Sequence, residues 1–179
     1  LTNANKITNT FKSEKQMNIG APTVNRYLDY FIDAFLLYKA ERYDVKGRKY
    51  IGSPLKYYFS DVGLRNARLN FRQQEENHIM ENIIYNELCG RDYSVDVGVV
   101  EYCYKDAEKK SKRTQLEIDF VANKGSKKYY IQSALTVADE EKREQEIRSL
   151  KRVGDSFKKI VVVKDNIIPW HDDDGILYI

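Results

Sequence analysis

Three residues in this 179-residue chain combine types and order that could support chemistry: Glu81, Asp119 and Gln132. Asp119 sits in "LEIDFVA", an otherwise apolar run, where an aspartate needs a hydrogen-bonding or ionic partner. Gln132 follows a short basic turn and leads into Ser133 and Ala134 in "YYIQSA". Glu81 lies in "HIMENIIYNEL", a stretch with helical apolar spacing. Two or three carboxylates converging on one face would suit Mg²⁺, which generates hydroxide and stabilises a leaving oxygen. Glu81 and Asp119 are the candidate metal ligands, and Gln132 stands where a third ligand would be useful. Plainer readings stay open beside this one. Glu81 could face solvent, Asp119 could pair with a lysine or cap a helix, and Gln132 could hydrogen-bond Asp119.

The elements that must position these residues follow from periodicity. Ile79, Ile83 and Leu88 predict a helix that Gly90 ends. "YSVDVGVVEYCYK", "QLEIDFVAN" and "KYYIQSALTV" read as three strands, with a charged loop "DAEKKSKR" between the first two. A helix follows from Asp139, its expected cap, and then the buried-looking strand "KKIVVVKD" and a last strand in "GILYI". The order helix, three strands, helix, strand, strand predicts an α/β domain over residues 75–179.

Residues 1–74 read differently. Ile7 and Phe11 share one helix face. From Val24 through Tyr27, Leu28, Phe31, Ile32, Phe35 and Leu36 an apolar stripe predicts a second helix, with Pro22 in its first turn. A Tyr- and Lys-rich hairpin with the basic tip Lys46-Gly47-Arg48 comes next, then a short strand "KYYF" and a short helix capped by Asp61. Helix, turn, helix and basic hairpin is the order of a winged helix, whose second helix enters a major groove. Arg26, Lys46, Arg48 and Lys49 are the candidate nucleic-acid contacts, and double-stranded DNA the candidate partner. Asp29 and Asp33 beside Arg26 argue instead for a protein-contact face.

Composition narrows the classes. Residues 1–75 carry 13 Lys and Arg against 7 Asp and Glu, and the remainder 17 against 20. Those are balances of +6 and −3 within an overall +3, which points any polyanion to the first half. No apolar run is long enough to span a bilayer and no signal-peptide pattern opens the chain, so a cytoplasmic protein without a membrane partner is expected. Cys89 and Cys103 are expected to be reduced. With His78 and His171 they are too few and scattered for zinc. "WHDDDG" lacks the spaced ligands of a calcium loop and reads as a solvated turn. No Gly-rich phosphate loop occurs, so this chain should not bind ATP by that route.

The order Glu81, Asp119, then Gln132-Ser133-Ala134 resembles the PD-(D/E)XK nuclease fold. More closely, "TVNRYLDYFIDAFLLYKAERYDVKGRKYI", "KYYFSDVGLRN", "MENIIYNEL" and "EIDFVA…YYIQSA" resemble the C-terminal region of a family of prokaryotic AAA-type ATPases, a domain of unknown function. The resemblance implies a parent chain of ATPase, winged helix and nuclease-like module. The abrupt, Met-less start agrees with a piece of such a chain, and ATP would enter only through the ATPase part. The fold's active members use Glu-x-Lys, the carboxylate on the metal and the lysine at the attacking water. Here Gln132 and Ala134 take those places, which implies a degenerate site; Lys142 on the following helix is the candidate migrated lysine. The expected function is a nucleic-acid-targeting or regulatory module without its own catalysis. An active Mg²⁺-dependent DNA nuclease and a module docking on its own ATPase domain are the alternatives.

Overall fold

The computed structural model describes residues 2–72, 75–105 and 111–179. Most of the expected charged loop, residues 106–110, lies outside them, and from Ser111 the chain is already strand. The described residues form five helices and eight strands, a mixed α/β fold, divided into two compact units. One is Leu1–Arg42 with Ile51–Gln74; the other is Tyr43–Tyr50 with Glu75–Ile179.

In the first unit, α1 (Ala4–Lys15) and α2 (Ala21–Asp33) pack on each other. Asn3 starts α1, its side chain accepting the Lys6 N–H at 2.9 Å, and Gln16 ends it in the left-handed region at φ 52°. Helix α2 forms but stops at Asp33, short of the expected Phe35 and Leu36, with Phe35 in the left-handed region at φ 57°, and its stripe is not the expected buried face. Val24 is buried, whereas Tyr27, Phe31 and Phe35 are 57, 43 and 76 % exposed. The buried apolar side chains of this unit are Ala4, Val24, Leu37, Ala40 and Tyr58, too little volume to cover a 13-residue helix. Strand β1 (Leu37–Asp44) and strand β2 (Lys49–Phe59) follow, and "KYYF" is the end of β2 rather than a separate strand. Beside Pro54 in β2, Leu55 exchanges both backbone hydrogen bonds with Thr2, at 2.8 and 2.9 Å. Asp61 caps α3 (Val62–Arg68) by accepting the Leu64 N–H at 2.8 Å.

The second unit is built on α4 (Glu76–Gly90), β3 (Ser94–Lys105), β4 (Ser111–Lys124), β5 (Lys127–Ala134), α5 (Glu140–Lys151), β6 (Lys158–Val163), β7 (Trp170–His171) and β8 (Leu177–Tyr178). Within this unit the strand order is β3-β4-β5-β6-β8-β7. The β3–β4–β5 run is antiparallel, and β5–β6 and β6–β8 are parallel. Consecutive residues of β5 face opposite ways. Tyr130 packs into a cluster with Ile147 and Leu150 of α5, and Ile131 lines a groove with Ile83, Ile84 and Leu88 of α4. The two helices therefore cover opposite faces of the sheet. Asp139 caps α5 as expected, accepting the Glu141 and Lys142 N–H groups. Gly90 is the last residue of α4, and the left-handed position falls two residues later at Asp92, φ 62°.

One irregularity in this sheet matters for the site. On β3 only Val97 separates Asp96 from Gly98, yet their partners on β4 are Val121 and Ile118. Two residues, Asp119 and Phe120, thus oppose one, which is a β-bulge in β4. The bulge leaves Ile118 and Val121 in the same buried cluster although they are three apart. Both crowd Gly98, where an added Cβ would lie 2.9 Å from each of them.

Candidate functional site

The bulge places Asp119 beside the end of β5, and Glu81 comes from the second turn of α4. Together with Gln132, Ser133 and Ala134 they line a cleft of about 390 Å³. Asn77 and His78 of α4 and Lys142, Gln145 and Glu146 of α5 complete its wall. The structure thus brings all three sequence-derived candidates, Glu81, Asp119 and Gln132, to one place, and each is at least nine-tenths buried. Lys142 reaches the rim from the exposed side of α5.

The hydrogen bonds define how these groups are engaged. Asp119 Oδ2 accepts two bonds from one residue, the Ser133 backbone N–H at 2.9 Å and the Ser133 hydroxyl at 2.7 Å. Gln132 Oε1 accepts the Asp119 backbone N–H at 3.4 Å, and the Gln132 amide donates to Glu146. Burial pushes the Glu146 carboxyl above its ordinary range, and the Gln132 hydrogen bond draws it partly back. Ser133 and Glu146 are the residues that sequence reasoning missed. Glu146 lies four residues after Lys142, one helical turn on the same face of α5, so the spacing held the signal. Ser133 held one too, as the hydroxyl next to the candidate third ligand.

Mg²⁺ requires near-octahedral oxygen donors at short range. This cluster fits it poorly. Gln132 Oε1 is turned to a backbone N–H, Asp119 Oδ2 is shared by two donors, and the carboxyl of Glu146 favours its neutral form more than usual. Among the described residues no three His, Cys, Asp or Glu side chains converge as a metal-holding set. Ala134, at the position where the sequence resemblance implies a lysine in an active member, is 5 % exposed and belongs to the apolar core.

The basic candidates are divided between the units. Arg26 is exposed on α2 of the first. Lys46, Arg48 and Lys49, expected on the wing of an N-terminal module, sit in the segment Tyr43–Tyr50 that belongs to the second unit. The reason is packing: the Val45 N–H donates to the Val99 carbonyl at 3.0 Å, and Val45 is buried in the second unit's core. Lys46 donates to the Glu101 carbonyl at 3.3 Å, whereas Arg48 lines a separate cavity of about 300 Å³.

Other motifs are structural. Asp172 of "WHDDDG" accepts the Asp174 and Ile176 N–H groups and the Tyr178 hydroxyl, and Asp174 pairs with Lys151 at 2.9 Å. Cys89 and Cys103 are free thiols. No helix among the described residues is long and apolar enough to cross a membrane.

Fold and site together define an α/β domain in which an acid, a hydroxyl, an amide and a second acid bond to one another at the base of a polar cleft. The chain belongs to the family of the domain of unknown function DUF4143, whose model matches residues 76–178. Residues 1–75 match a second domain of unknown function, DUF8612. An uncharacterized protein of Haemophilus influenzae is 35 % identical over 162 residues, covering 90 % of this chain. The chain spans 36 % of that relative's length. No solved structure matches it.

Proposed function

We propose that this chain is a non-catalytic C-terminal region of a larger AAA-type ATPase, with a nuclease-like second unit whose cleft recognises rather than cuts. The observation that carries the reading is the closed bonding of Asp119 to Ser133, beside an alanine where a nuclease needs its lysine. A hydrolytic centre would need Asp119 turned to an ion and a base or cation near the attacking water. Here Asp119 Oδ2 already accepts two hydrogen bonds from its neighbour on β5. Lys142 lines the cleft from an exposed face of α5 and makes no ion pair with any described residue. The sequence resemblance, and a relative of which this chain spans 36 %, support placing the chain in a longer ATPase protein.

The test is incubation of the purified chain with linear, branched and single-stranded DNA in Mg²⁺ and in Mn²⁺. The reading predicts intact DNA in every lane. Cleavage that disappears in Asp119→Ala would establish the nuclease instead.

A further inference from the structure

We propose that the second unit binds a nucleic-acid backbone at the end of its sheet remote from the carboxylate cleft. Strand β5 runs from Lys127 to Ala134, roughly 23 Å at ~3.3 Å per residue. The cleft occupies the Gln132–Ala134 end. At the other end three turns meet: the hairpin tip with Arg48 and Lys49, the β4–β5 turn with Lys127 and Lys128, and the start of β6 with Lys158 and Lys159. Their convergence is physical. Tyr43, Arg48, Lys128, Asp155 and Phe157 line one cavity of about 300 Å³, and parallel pairing sets Lys158 against Tyr129 and Lys159 against Tyr130.

None of the six cations at this end forms an ion pair with a described residue, and Lys159 donates to the Val153 carbonyl at 3.3 Å. Arg91, Lys124, Arg143, Lys151 and Lys164 of the same unit do form ion pairs, while Arg148 and Arg152 lie over the Tyr102 ring instead. The cavity's own carboxylate, Asp155, is engaged by the Tyr130 hydroxyl at 2.6 Å and the Phe157 N–H at 3.2 Å. The second unit, Tyr43–Tyr50 with Glu75–Ile179, nevertheless carries 20 Lys and Arg against 22 Asp and Glu, a balance of −2, so the cations at this end do not reflect a general excess. Unpaired like charges repel within a Debye length, and a bound polyanion relieves that repulsion.

Aromatic rings favour nucleic acid over an acidic peptide or a lipid headgroup. The Lys128 ammonium lies 5.3 Å from the ring centres of both Tyr43 and Phe157, and Phe157 is 42 % exposed. Cations beside the exposed Phe157 ring suit phosphates flanked by sugars and bases. The inference goes beyond the reading of the cleft and does not depend on it, because a cutting module would also have to hold its substrate. Binding is therefore measured in EDTA, where cleavage does not enter.

The experiment is fluorescence anisotropy of the full chain with a labelled short duplex, the matching single strand and the matching RNA. Poly-glutamate and phosphatidylserine vesicles serve as other polyanions. Three to four phosphate contacts predict a fall in affinity of about 40- to 150-fold between about 50 and 200 mM salt. Arg48→Gln with Lys128→Gln should weaken binding by at least about tenfold and flatten the salt slope by about 2. Lys127→Gln with Lys158→Gln, both exposed, should do the same without touching the fold, and Lys12→Gln with Lys15→Gln on α1 should change nothing. No binding to any nucleic acid at the lower salt overturns the proposal. So does binding indifferent to both pole variants, or poly-glutamate or vesicles binding as tightly as nucleic acid.

Discussion

Replacing Gly98 by alanine tests how the bulge holds Asp119 in place. The added Cβ would lie 2.9 Å from Ile118 Cβ and 2.9 Å from Val121 Cγ2, against the ordinary carbon–carbon contact of about 3.5–4.0 Å. Neither neighbour can swing away, since both residues are fully buried and Ile118 Cβ is one bond from the backbone. Overpacking of this kind costs about 1–3 kcal/mol. Alanine returns about 0.5–1 kcal/mol of the entropic penalty glycine carries in a strand. The mid-range balance is a net loss of about 1 kcal/mol, or a urea midpoint lower by roughly 0.5 M for an m-value of about 2 kcal/mol/M. Trp170, the only tryptophan, stacks on Tyr178 at 4.2 Å in the second unit, so its fluorescence follows this unit's unfolding. Val121→Ala removes the clashing methyl, so the double variant should be less destabilised than the sum of the singles by about 0.5 kcal/mol or more. A Gly98→Ala protein as stable as the parent, or strict additivity with Val121→Ala, would refute the reasoning.

The hydrogen bonds of the cleft give further expectations under the same assay. Ser133→Ala deletes the 2.7 Å hydroxyl donor to the buried Asp119 carboxyl while keeping the backbone donor. It should cost about 1–3 kcal/mol, and a change below about 0.5 kcal/mol would mean that water replaces the hydroxyl without loss. Glu146 has a folded-state pKa raised by burial, so the folded protein holds its proton longer than the unfolded chain. Its contribution to stability is therefore lost as pH rises from the ordinary glutamate range through the raised folded value. Glu146→Gln should flatten the stability–pH curve in that window, and an unchanged curve would remove Glu146 from the buried cluster. Asp139→Ala should destabilise α5 by about 0.5–2 kcal/mol through its lost cap, read as a lower thermal midpoint.

Much of the second unit was legible because its elements carry strong local signals. "KKIVVV" could hardly be anything but a buried strand, and Asp139 announced the start of α5. Glu81, Asp119 and Gln132 were identified by type and order, and they do share one cleft. What the sequence could not convey was direction. The bulge that aims Asp119 depends on which residue of β3 opposes which residue of β4, and no one-dimensional pattern encodes that register. Ser133 became the partner of Asp119 for the same reason. In the first unit, the stripe of α2 predicted a helix correctly but not its burial, because periodicity reports a face and not what covers it. The hairpin tip shows the limit from another side. Its basic turn was clear, yet membership of the second unit rests on Val45 and Val99, residues 54 positions apart. The pole of positive charge was hidden similarly, split over three turns that only the sheet brings together.

The central claim is that the polar groups of the cleft bond to one another and do not assemble a divalent-ion site. Calorimetric titration of Mn²⁺ into the chain tests it most directly, with Asp119→Asn and Glu81→Gln run alongside. The account predicts no saturable binding tighter than about 1 mM, less than roughly 4 kcal/mol of binding free energy, and no difference among the three proteins. A stoichiometric Mn²⁺ site in the micromolar range that vanishes in Asp119→Asn would contradict it.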